Sequence, residues 1–135
     1  MTPSKLAITV IDTGNASGID DTMATSLRDA QAWRSFWQHH KSCEFPMPPV
    51  PDVDFEKEVV IIYMLGEKSR GSTTVIVESV EDDGAALNVT VATKSSQGLS
   101  TSAMCNPFSI IKVQADKSRS VNISLRAPRP DDIEV

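Results

Sequence analysis

A chain of 135 residues with 40% apolar and 23% charged side chains is long enough to bury one core and too evenly mixed for wholesale disorder. Its net charge of −5, from 13 Lys and Arg against 18 Asp and Glu, opposes the clustered basic footprint that nucleic acid requires, and the densest basic patch, residues 112–119, is broken by Asp116. No apolar run approaches the ~18 residues of a membrane-crossing helix, so no membrane span is expected and the chain as written reads as soluble, with export left open because a leader can be removed.

Residues 6–11, LAITVI, are β-branched and short, and the turn-forming DTGNASG follows, so a first strand is expected at an edge or beside the terminus. Residues 23–27 offer a brief second strand. The one expected helix covers residues 26–41: Ser26 with Asp29 three positions later makes a capping-box-like pair, and Asp29 is itself the competing cap. Ala30, Trp33, Phe36 with Trp37, and His40 recur at the spacing of one helical face, which is assigned to the core. Aromatic residues are only 5% of the chain, so this cluster must supply much of its bulky packing. His39 and His40 project about 100° apart and do not form the i, i+4 pair of a metal site; a favourable charge effect at the helix C-terminus accounts for them.

Residues 43–51, CEFPMPPVP, carry four prolines in nine positions and form an extended connector into the central strand. That strand is the organising element. Seven consecutive apolar residues, Val59 to Leu65, follow an acidic run-in and stop at Gly66, the pattern of a strand covered on both faces. Asp52, Asp54, Glu56 and Glu58 alternate, which on a strand places them on one face. They lack the glycine turn of a calcium loop and read as a charged, exposed stripe that discourages edge pairing, with Asp54 alternatively capping a local turn before Phe55.

A charged turn at 66–72 leads to a strand at 73–80, and the Asp83-Gly84 pair marks a hairpin whose returning strand faces Leu87, Val89 and Val91 inward and Asn88 and Thr90 outward. Residues 94–106 read as a long Ser/Thr-rich loop. Residues 108–113 alternate as a further strand, and Val121, Ile123 and Leu125 give the inward face of a last one. Without βαβ alternation, the expected fold is mainly β (α+β): an antiparallel sandwich or partly open barrel of about six to seven strands with one packed helix. One domain spans residues 1–127, and 128–135 form a flexible acidic tail.

The order of landmarks is distinctive: Trp33-x-x-x-Trp37, Pro51-x-Val53-Asp54-Phe55, the apolar strand, Gly66-Glu67-Lys68, the Asp-Gly hairpin, then Pro107-Phe108 before Ile110-Ile111-Lys112-Val113. Over residues 8–125 it resembles the C-terminal domain of the protease-complex subunit PrcB family. The resemblance implies a bacterial protein, often exported or lipid-anchored, that acts as a non-catalytic binding or assembly module with a protein partner, a peptidase among the candidates. The family's G-x-x-P-T-G-G-Y after the central strand is replaced here by GEKSRGST, which lacks the proline, the second glycine and the tyrosine.

Chemistry-bearing constellations are sparse. The serines of 95–102 stand in no G-x-S-x-G context, Cys105 has no placed base, and no cofactor or metal motif is present, so the chain is not expected to be an enzyme. Cys43 and Cys105 lack CxxC spacing and are expected as free thiols, a disulfide being the alternative. The working surface is assigned to the 66–72 turn and the 94–106 loop, with Lys68 and Arg70 as charged anchors and Met104 as an adaptable apolar contact. The alternative function is a peptidase inhibitor presenting these same two loops.

Overall fold

The computed structural model describes residues 4–14, 19, 21–42, 46–65, 73–96, 107–115, 119–125 and 133–134. Nine strands and one helix are found among them, in the order β1 (Ser4–Lys5), β2 (Thr9–Gly14), β3 (Met23–Leu27), α1 (Ala30–His40), β4 (Glu58–Met64), β5 (Thr73–Asp82), β6 (Ala86–Ser96), β7 (Phe108–Gln114), β8 (Ser120–Leu125) and β9 (Ile133–Glu134). They form two open sheets, β1-β5-β6-β8 with β9 also on β6, and β2-β7-β4-β3. The protein is therefore mainly β, a sandwich rather than a closed barrel, with the helix packed on one side.

The apolar run of β4 explains this layering. Val59 and Ile61 point into the space between the sheets, where they join Val75, Val80, Leu87, Val89, Val91, Ile111 and Val113. Val60, Ile62 and Met64 point the other way and pack with Trp33, Trp37, Phe108 and Ile110 under the helix. Successive strand residues face opposite sides, so a strand apolar at every position needs two apolar covers. Sheet one supplies the first cover and α1 the second. The antiparallel ladder between β4 and β7 joins the strands that share this burden, and it extends past both ends through Leu65 N–H to Pro107 O (2.9 Å) and Ala115 N–H to Lys57 O (3.0 Å).

The helix starts later than its sequence suggests. Residues 23–27 pair with β4 as β3, which commits Ser26 to a ladder, and Asp29 becomes the cap, its Oδ2 accepting from Ala32 N at 3.0 Å. On the buried face Trp33 is 2% and Trp37 4% exposed, while Ala30 lies exposed. Each indole also holds the proline-rich connector: Trp33 Nε1 donates to Pro51 O at 3.0 Å and Trp37 Nε1 to Pro48 O at 3.1 Å. Burying an indole of roughly 200 Å2 at about 25 cal/mol per Å2 is worth ~5 kcal/mol of transfer free energy.

Several expectations need correction. Not all pairing is antiparallel: β8 and β9 run parallel to β6. The chain leaves β6, crosses to the other sheet as β7 and returns as β8, which brings it back in the original direction. Leu125, assigned inward, is half exposed because it ends an edge strand. The expected first strand splits: residues 4–5 pair with β5, Leu6 N–H donates to Val80 O, and from Thr9 the chain pairs with β7 at the edge of the other sheet. Residues 94–96, expected in a loop, belong to β6, and the rest of that expected loop, 97–106, lies outside the described residues. Within the acidic tail, Ile133 and Glu134 pair with Ser95 and Ser96.

The hairpin between β5 and β6 follows its sequence closely. Gly84 takes φ +94°, and Asp83 Oδ1 accepts from the backbone of Ala85 (2.9 Å) and Ala86 (2.8 Å), while its Oδ2 accepts from Asn88 Nδ2 (3.0 Å). These backbone bonds hold the Asp83 carboxyl below its usual 3.8. A depressed carboxylate contributes stability above its unfolded value and loses it as the pH falls through the folded one. Asp83→Asn is thus expected to be less stable than the parent at pH 7, with the gap between their melting temperatures closing below about pH 4. Trp33→Ala and Trp37→Ala are each expected to cost about 3–5 kcal/mol in denaturant unfolding, well above a surface substitution.

Candidate functional site

The two sheets approach along two sides. On one, Arg28 at the end of β3 donates through Nη2 to the carbonyl of Arg119, and Arg119 Nε holds Asp82 Oδ1 at 2.9 Å at the end of β5. On the other, β2 and β5 diverge. β1 leaves β5 at Leu6 and the chain crosses to the second sheet, so from Thr73 to Val77 no other described strand pairs with the outer edge of β5. The outer edge of β2 likewise carries no described strand. Between these edges lies a largely apolar cleft lined by Val10, Thr13, Val75, Ile76, Val77, Ser109 and Ile111. Val10 is 57% exposed, an apolar side chain held at the mouth of the cleft.

At the other face of β2 stands a charged cluster. The β2–β7 register shifts between Val10, opposite Ile111, and Asp12, opposite Ile110, leaving Ile11 as an extra residue. Without that bulge Asp12 would face the space between the sheets; with it, Asp12 shares the face of Ile110 and meets the helix. Its Oδ2 accepts from His40 Nε2 at 2.9 Å and from Lys41 Nζ at 2.8 Å. The His40 side chain is fully buried, with Phe108 edge-on at 4.4 Å between ring centroids, Phe36 stacked at 5.7 Å and Trp37 at 5.6 Å. Lys41 Nζ also lies over the Trp37 ring, 5.3 Å from its centroid.

His40 is therefore a core residue with a specific carboxylate partner, and a charge effect at the helix end does not account for it. Sequence reasoning put His40 on the buried face but missed Asp12, because nothing in TVIDTG marks the bulge.

The acidic stripe at 52–58 also differs from expectation. Residues 55–57 form a turn in which Asp54 Oδ1 accepts from Glu56 N (3.1 Å), Asp54 O accepts from the amides of Lys57 and Glu58, and Glu58 Oε1 accepts from Asp54 N (2.9 Å). Asp54 takes the capping role, and Glu58 turns to Lys112 Nζ at 3.3 Å. The four carboxylates do not share a strand face, because β4 begins only at Glu58. Among the described residues no three His, Cys, Asp or Glu side chains gather as a metal site, and no helix is long and apolar enough to cross a membrane. Lys68, Arg70 and Met104, with Cys43 and Cys105, lie outside the described residues. Comparison with protein-family models, with curated proteins and with solved structures gave no match.

Proposed function

We propose that this chain is a non-catalytic protein-binding module, similar in role to a subunit of a bacterial protease complex, whose partner is a protein rather than nucleic acid. The observation that carries this reading is the open side of the sandwich. There an apolar cleft, with Val10 at its mouth, lies between the edge strand β2 and the stretch of β5 beyond its pairing with β1, along which no other described strand is paired. An extended protein segment satisfies both needs at once, pairing with an edge and seating an apolar side chain in the cleft. The enclosure of His40 supports a binding role over a catalytic one. Net charge −5 supports a protein partner over a polyanion. Lys68, Arg70 and Met104 are proposed to add contacts from the 66–72 and 94–106 segments.

Titration against a panel of bacterial peptidases tests this. Binding that leaves peptidase turnover unchanged is expected, and Val10→Asp should weaken it about tenfold or more by placing a charge in the apolar cleft. Lys68→Ala/Arg70→Ala should also weaken it, with the melting temperature of each variant kept. Loss of peptidase activity in stoichiometric titration would replace this reading with the inhibitor one. Substrate turnover by the chain itself, abolished by one point substitution, would overturn both.

A further inference from the structure

We infer that β2 is a releasable strap, latched to the body of the protein by the contact of Asp12 with His40 and Lys41. No residue of β2 is fully buried: Thr9, Val10 and Thr13 are exposed, and Ile11, Asp12 and Gly14 are half-buried. The strand is the outermost of its sheet, and its single ladder is interrupted at Ile11. β7 beneath it is different in kind. Five of its seven residues are buried, it is paired along its whole length to β4, and both its faces are covered, by the facing sheet and by the helix. Removing β2 therefore leaves the double-faced core in place.

Segments with few buried apolar contacts open locally at a small fraction of the global unfolding free energy. Among the described residues, β2 is also held by Ile11 at the edge of the helix-side cluster, Thr13 Oγ1 donating to Phe108 O at 3.2 Å, and the Asp12 latch. The latch is the strongest of these, because one carboxylate oxygen receives two donors, one of them a lysine ammonium, beside a buried aromatic wall. The bulge that spoils the ladder is also what aims Asp12 at the latch, so the strand's weak point and its fastening are one feature. Lifting the strap uncovers the edge of β7.

Hydrogen exchange read by mass spectrometry tests this on the whole chain, comparing the parent, Asp12→Ala, and Thr9→Ala as a control on the same strand. In Asp12→Ala, peptides covering residues 9–14 are expected to exchange about tenfold or more faster, while those covering 58–64 and 86–91 stay within about twofold. The control should stay within about twofold everywhere. Uniform acceleration across the chain, no acceleration at 9–14, an equal effect from Thr9→Ala, or failure of Asp12→Ala to fold would each overturn the inference.

Discussion

The structure depends on one constraint: β4 and β7 are apolar on both faces. A strand of this kind in a two-layer sandwich would leave Val60, Ile62, Met64, Phe108 and Ile110 against water. The chain meets this with a third layer, and α1 is where its scarce aromatic volume is concentrated. Trp33 and Trp37 cover the sheet and at the same time donate to Pro51 and Pro48. That second role matters because a connector with four prolines has few amide donors of its own and presents carbonyls that need partners. The indoles thus fix helix, connector and sheet together, and the path of the connector sets where β4 begins.

The edges follow from the same arrangement. With β4 and β7 inside the second sheet, β2 and β3 become its edges, and each meets the first sheet differently. On the β3 side the Arg28–Arg119–Asp82 chain of contacts ties the two sheets together. Among the described residues the β2 side stays open, because the N-terminal chain pairs first with β5 and then with β7 and fully covers neither edge. With an apolar cleft on one side of β2 and a carboxylate latch on the other, this edge strand has no fully buried residue and is where recognition and motion are readily accommodated.

Much of the fold was legible in the sequence because it rests on local patterns. The unbroken run at 59–65 gave a doubly covered strand, the Trp33, Phe36, Trp37 and His40 spacing gave the buried helical face, and Asp83-Gly84 gave the hairpin. Departures arose where tertiary pairing overrode local preference. Ser26 has the chemistry of a cap but belongs to β3, so Asp29 does the capping. The alternation of Asp52, Asp54, Glu56 and Glu58 imitates a strand face, yet Asp54 closes a turn that its own side chain stabilises. The parallel course of β8 depends on a passage through the other sheet, which no periodicity encodes. The Asp12–His40 contact was hidden for a similar reason: it joins residues 28 positions apart through a bulge that changes which face Asp12 occupies.

The central claim is the division of β4 between two covers, and methyl-to-aromatic nuclear Overhauser contacts measure it most directly. With Ile and Val methyls and Trp indoles assigned, Val60 and Ile62 should show contacts to the rings of Trp33 and Trp37. Val59 and Ile61 should instead show contacts to Leu87, Val89 and Val91 and none to either indole. Indole contacts from Ile61 and Ile62 alike, or from neither, would contradict a three-layer arrangement.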